Sequence, residues 1–301
     1  MRVFLTSGTG WVGSAILPEL LKAGHTVLGL ARSDASAAKL AAAGAEVHRG
    51  DLTDIDSLVA GAKATDGVIH TAFVHDWTDF MGNVEKDRAA VAAMIAVMEG
   101  TGKPFINSSG TMMVQHAKPA SEQDNSPSPD APRVPSANLV LNAKGVRGIV
   151  VRLPPTVHGA GDHGFVSRLV DAAREKGFAA YVGDGANRWP AGHVLDAARV
   201  YRLALEKSAP GTNLHAVAEE GVAMRSIAEA IGKGLGVPVR SLTPEEAPAY
   251  FDFLAMFVGT DNPTTSAITR QSLGWTPREL GLLPDILDHY CGAAATTSKY
   301  S

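Results

Sequence analysis

Three glycines near the start of the chain, Gly8, Gly10 and Gly13, stand at G-x-G-x-x-G spacing. Glycines so spaced permit a tight turn and close approach of backbone to a pyrophosphate. The helix that follows offers free N–H groups and the positive end of its dipole. The flanks agree: Val3-Phe4-Leu5 reads as a buried strand before the turn, and Ile16-Leu17-Pro18-Glu19-Leu20-Leu21 as a helix after it. Thr6, Gly8, Thr9, Gly10, Trp11, Val12 and Gly13 are therefore candidate dinucleotide contacts. Further on, Ala31-Arg32-Ser33 ends the second strand pattern, where an NAD site usually has a carboxylate for the ribose 2′-OH. Arg32 can instead clamp a 2′-phosphate by charge-assisted bonds and Ser33 can add a hydroxyl, so NADP(H) is expected ahead of NAD(H). Asp34 comes slightly late and reads as a helix N-cap. Gly50-Asp51-Leu52 follows the third strand, where Asp51 either accepts from an adenine amino group or caps the helix beginning near Asp54. His70-Thr71-Ala72-Phe73 ends strand four, and His75-Asp76 follow, which puts an imidazole and a carboxylate near the expected chemical centre.

The elements that must position these residues alternate regularly. Strand and helix patterns repeat six times up to Gly148-Ile149-Val150-Val151-Arg152-Leu153, broken by a Pro- and Ser-rich loop over residues 114–136. Six such repeats predict an α/β fold: a Rossmann-type, doubly wound parallel sheet with right-handed crossovers. Beyond Pro154-Pro155 the pattern loosens. Helical stretches at 165–176, 195–207, 224–235, 244–258, 264–273 and 280–290 accompany short strands near 179–182 and 214–217. This half reads as additional sheet strands plus a small, mostly helical substrate lobe. Residues 1–155 then form a dinucleotide-binding domain and 156–301 the remainder, interleaved in one unit. The net charge of −4 gives no basic excess for nucleic acid or an anionic membrane. No apolar run reaches the ~18 residues of a membrane span, and no signal-peptide pattern precedes the first strand. The single cysteine, Cys291, excludes a disulfide framework within the chain and a multi-cysteine metal site. A cytoplasmic protein without a metal is the resulting expectation.

Several segments run in the order of a known family: the stretch from Thr6 to Gly13, Asp51-Leu52, His70-Thr71-Ala72, Asn107-Ser108-Ser109-Gly110-Thr111, Arg152-Leu153-Pro154-Pro155-Thr156-Val157-His158-Gly159 and Gly192-His193-Val194-Leu195-Asp196-Ala197-Ala198. With them the chain resembles the extended or atypical branch of the short-chain dehydrogenase/reductase superfamily, of the NAD-dependent epimerase/dehydratase type. The resemblance implies an NADPH-dependent reduction of a carbonyl, imine or conjugated alkene. It places Thr71, Ala72, Phe73, Ser108, Leu153, Pro154, Pro155 and Val157 along the cofactor. It makes Ser109 the hydroxyl that orients the substrate, with Ser108 and Thr111 as neighbours. Two departures stand out. The first glycine of the family's T-G-x-x-G-x-x-G is Ser7 here, and the family's acid, a Tyr followed three residues later by a Lys, is missing: none of Tyr181, Tyr201, Tyr250, Tyr290 and Tyr300 precedes strand six.

Hydride transfer to a carbonyl creates an alkoxide that needs a proton. His75 and His116 are the leading donors, with Asp76, His158 and bound water as alternatives. His158 takes the place of a family Tyr, which implies packing near the nicotinamide. The substrate walls are expected from His75, Trp77, Met112, Met113, His158, His163, Phe165 and Trp189, an apolar and aromatic set suited to a small hydrophobic organic substrate. Groups to hold a nucleotide-sugar diphosphate are not evident. Two other readings stay open, a non-redox cyclase or isomerase that keeps the cofactor site and an NADP-sensing binding protein. A homodimer through the helices at 83–100 and 136–144 is a further expectation from the superfamily.

Overall fold

The computed structural model describes residues 1–114 and 118–292. Its first half runs β1 (Arg2–Leu5), α1 (Trp11–Lys22), β2 (Thr26–Ala31), α2 (Asp34–Ala42), β3 (Glu46–Arg49), α3 (Ile55–Lys63), β4 (Gly67–His70), α4 (Phe80–Met98), β5 (Pro104–Gly110), α5 (Val134–Leu141) and β6 (Arg147–Leu153). The central strands are apolar on both faces, as a parallel sheet covered on both sides requires. Alternate side chains serve alternate cores. Leu5 packs with Ile16, Leu20 and Leu40 on one face, while Phe4 packs with Leu58, Met94 and Phe105 on the other.

The second half continues through β7 (Thr156–His158), α6 (Phe165–Lys176), β8 (Ala179–Val182), β9 (Arg188–His193), α7 (Val194–Lys207), β10 (Thr212–His215), β11 (Glu219–Ala223), α8 (Met224–Leu235) and β12 (Val239–Leu242). Short helices Ala247–Phe251, Ala255–Val258, Ala267–Leu273 and Leu282–Asp285 follow. The main sheet has seven strands in the order β10-β6-β5-β4-β1-β2-β3, and every pairing in it is parallel. This is the doubly wound Rossmann arrangement. The strand order reverses between β1 and β4, so the crevice at their carboxyl ends is where a ligand belongs.

Beyond residue 155 the chain still serves this sheet, because β10 extends its edge and α7 packs along α1. The rest forms a lobe with its own core, including Val166, Trp189, Ile227 and Ile286. Two small sheets accompany the lobe's helices, β11-β9-β7 and β12-β8. The long connection before α5 is pinned to its surroundings: Arg152 donates to the Asp124 carbonyl at 3.0 Å, and Glu122 accepts from Thr269 N–H at 2.7 Å. Among the described residues no helix is long and apolar enough to cross a membrane.

Candidate active site

The glycine turn owes its glycines to space. None of Gly8, Gly10 and Gly13 has a positive φ. A Cβ on Gly13 would lie 1.7 Å from the Ser7 carbonyl oxygen, and one on Gly8 would meet Leu40 at 2.7 Å. α1 begins with no side-chain cap and no acidic residue in its first turn. Its first-turn amides are therefore left to an anion. Trp11 ties the turn to β7, donating from Nε1 to the Val157 carbonyl at 2.9 Å, and its ring stands 5.9 Å from His163. Thr71 lines the same edge with a buried hydroxyl that has no partner among the described residues. An uncapped helix start, a cradle that a single methyl would fill and an orphan hydroxyl together fit a dinucleotide.

Some expected contacts are used otherwise. The Thr6 hydroxyl is buried, pairs with His70 Nδ1 at 3.0 Å and accepts from the amides of Thr71 and Ala72 at 3.2 Å each, so it braces β1 on β4 rather than facing a ligand. Ser33 is the N-cap of α2, accepting from the Ser36 amide at 3.2 Å. Asp34 is thereby moved inside the helix, where its carboxylate meets Arg49 at 2.6 Å. Asp54 caps α3. Asp51 instead accepts from the Thr53 hydroxyl and amide at 2.6 and 2.7 Å, bonds that lower its pKa. Leu52 is buried beside it. Arg32 is exposed and makes no ion pair among the described residues. Leu153, Pro155 and Val157 stay half-buried on the β6–β7 edge, and Pro154 is buried.

At the reacting end, the segment after β4 converges with the lobe. Phe73 packs edge-on to His75 at 5.0 Å. Trp77 is stacked between Phe80 at 5.0 Å and Phe253 at 4.8 Å, with Phe165 and Phe257 beside it. Met112 packs against the lobe core, Met113 is half-buried and His163 is exposed. Burial, then the charges of Arg133 and His163, push the His75 imidazole below its ordinary range. Asp76 caps the turn at Trp77–Asp79, accepting from the Thr78 amide at 2.9 Å, which removes it from the candidate acids. Ser109 sits half-buried at the end of β5, and its side chain makes no hydrogen bond among the described residues. The adjacent Ser108 hydroxyl is buried, donating to the His70 carbonyl at 3.0 Å and pairing with Tyr201 at 2.7 Å. Tyr201 itself is fully buried on α7, and burial raises its pKa, so it is no substitute for the missing acid.

Two expected substrate contacts belong to the interior. Trp189 is fully buried in the lobe core. His158 is fully buried too, its Nδ1 held by Asp285 at 2.7 Å and its Nε2 without a partner among the described residues. His116 lies outside the described residues. One residue that sequence did not single out does join the site. Arg133, just ahead of α5, lays its guanidinium 4.2 Å over the Phe73 ring. The signal was its place three residues before Ser136, at the start of the helix that precedes strand six.

The sequence model of the NAD dependent epimerase/dehydratase family matches residues 3–217. The chain belongs to that family. Membership makes it an NAD(P)-dependent enzyme of the oxidoreductase type. It is 46% identical over 289 residues to an uncharacterized protein of Schizosaccharomyces pombe, covering 95% of this chain and 98% of that one. It is 29% identical over 225 residues to the 4-hydroxy-2-methyl-3-oxo-4-farnesyl-3,4-dihydroquinoline-1-oxide ketoreductase of Stigmatella aurantiaca, covering 70% of this chain and 66% of that one. Among solved structures it superposes on the Thermus thermophilus UDP-glucose 4-epimerase complex with NAD, with a TM-score of 0.75 at 19% identity over 98% of this chain and 100% of the other. That likeness is one of fold.

Proposed function

We propose that this enzyme uses NADPH to reduce a carbonyl, or an imine or conjugated alkene, of a small hydrophobic compound. The observation that carries the reading is the cluster of partly exposed rings, Trp77, Phe80, Phe165, Phe253 and Phe257, where the segment after β4 meets the lobe. An aromatic surface of this kind suits a hydrophobic ligand. The Stigmatella relative is likewise named for a ketone reduction. Arg32 supports NADPH over NADH, since an exposed guanidinium at the end of β2 with no ion pair among the described residues is available to a 2′-phosphate.

The cradle of Gly8 to Gly13 and the first-turn amides of α1 would hold the pyrophosphate, and Trp11 and Thr71 would border the nicotinamide end. A reduced nicotinamide, when bound, supplies a hydride. Ser109 donates to the carbonyl oxygen and fixes its orientation. In its neutral form His75 is both donor and acceptor, and can relay a proton from water to the product oxygen.

The test is NADPH oxidation against a panel of aldehydes and ketones with aliphatic and aromatic substituents. Turnover is expected, and Ser109→Ala should lower kcat/KM by roughly 10²-fold, as loss of one oxyanion donor does. Tight NADPH binding with no turnover on any member would overturn the reading.

A further inference from the structure

The missing Tyr and Lys leave the alkoxide of a carbonyl reduction without its usual electrostatic partner, and Arg133 stands where one is needed. Its side chain is only 14% exposed. Nη2 donates to the Ser108 carbonyl at 2.8 Å, the peptide that leads into Ser109. The guanidinium covers Phe73, whose ring in turn touches His75. Arg133 is thus gripped from β5 and from the segment after β4, at the edge where the reaction is expected.

Its charge is only partly answered. The carboxylate beside it is Asp87, at 3.5 Å, and Asp87 is fully buried. That carboxylate is shared: Oδ1 also meets His70 Nε2 at 3.2 Å, and Oδ2 accepts from Ser136 at 2.7 Å. Arg133 Nε is buried with no hydrogen-bond partner among the described residues, and Nη1 makes none among them either. A guanidinium withdrawn from water normally fills its five donors. Here a cation is stacked on Phe73, braced on the Ser108 carbonyl and left with donors to spare. A purely structural clamp accounts for the grip on Ser108 and Asp87 and leaves the spare donors unexplained.

We propose that Arg133 holds the oxyanion of this site together with Ser109, and that the site accordingly takes small aromatic carbonyl compounds and their carboxylate mimics. The identity of the oxyanion rests on the reductase reading above. The carbonyl carbon accepts hydride from a reduced nicotinamide, and its oxygen keeps the π pair as an alkoxide held by Arg133. That oxygen then takes a proton from water, relayed through His75, and hydroxide is released. Arg133 keeps its own protons, because a guanidinium does not ionise in this range. Asp87, Ser136 and His70 act as positioning residues for it.

The probe is benzoate, with neutral benzamide as its isostere, titrated calorimetrically into the full chain saturated with NADP+. Wild type should bind benzoate more tightly than benzamide. Arg133→Gln should weaken benzoate at least tenfold while benzamide changes less than twofold, and Arg133→Lys should restore part of the loss. Because Arg133→Gln leaves Asp87 buried without its cation, the charge-balanced pair R133Q/D87N carries the same measurement should the single variant fail to show a melting transition. Equal loss of benzoate and benzamide, unchanged benzoate affinity, or no benzoate binding by wild type would overturn the proposal. Benzoate discrimination without turnover on the carbonyl panel would sink only the reductase reading. Turnover unaffected by Arg133→Gln would sink only the role of Arg133.

Discussion

Replacing Gly13 by Ala should abolish useful cofactor binding, and the structure says by how much. The added Cβ would sit 1.7 Å from the Ser7 carbonyl oxygen, 2.6 Å from its carbon and 3.2 Å from the Gly8 nitrogen, all backbone. Carbon and oxygen approach no closer than about 3.3 Å even in C–H···O contacts, so roughly 1.6 Å must open between the turn and the helix. No side chain can rotate to supply it. α1 is held along α7, so the turn is the part that must give. Opening it withdraws the amides at the start of α1 from the pyrophosphate. Two charge-assisted bonds lost at about 1.5–3 kcal/mol each amount to some ~3–6 kcal/mol, which is a hundredfold or more in Kd. Gly10 is the internal control. Its added Cβ would meet the Ser7 hydroxyl at 2.5 Å, a group that can turn away, so Gly10→Ala should weaken binding far less. The assay is a fluorescence titration of NADPH, with thermal melting to confirm folding. A Gly13→Ala protein that binds NADPH within threefold of wild type would show that the cradle does not depend on this close approach.

Arg32→Ala should weaken NADPH ten- to a hundredfold, the ~1.5–3 kcal/mol of a charged hydrogen-bond set, and leave NADH unchanged; competition titrations of the two cofactors read it directly. Trp77→Ala removes the ring stacked between Phe80 and Phe253, and should raise KM for aromatic substrates about tenfold with little change in kcat. His215 is buried, donates from Nδ1 to the Thr265 carbonyl at 2.8 Å and faces Arg152 at 3.3 Å through Nε2. Burial pushes its pKa down to about 4. The folded pKa lies below the unfolded value near ~6.5, so this contribution is complete above that pH and is lost as pH falls toward 4, up to roughly 3 kcal/mol. Urea unfolding should show stability falling from pH 7 to pH 5, and His215→Gln should flatten that slope.

The parts legible in sequence are those with strong local punctuation. β2 at Thr26–Ala31, α6 at Phe165–Lys176 and α8 at Met224–Leu235 have the bounds their apolar periodicity and terminal glycines dictate, and Gly177 and Gly236 close the two helices in the left-handed conformation. The doubly wound sheet followed from the βα alternation. The lobe was harder to read. β7, β9, β11 and β12 are three to six residues long, too short for a period of two to stand out. Pro248 and the positive φ of Asp252 break the stretch 244–258 into short turns of helix. At the site, residue type announced the glycine turn and Arg32, because their chemistry is local. It could not announce the grip of Thr6 on His70, the burial of His158 and Trp189, or the convergence of Arg133, Asp87 and Ser136. Those depend on which strand ends meet, and Thr6 and His70 are 64 positions apart in the chain.

We propose above that this chain moves a hydride from NADPH to a hydrophobic carbonyl compound. NADPH carrying deuterium at C4 tests it most directly, with the product of the best panel substrate examined by mass spectrometry and NMR. One deuterium is expected on the carbon that bore the carbonyl, formed in step with loss of NADPH absorbance. Product formed without deuterium, or cofactor bound and never oxidised, would contradict it.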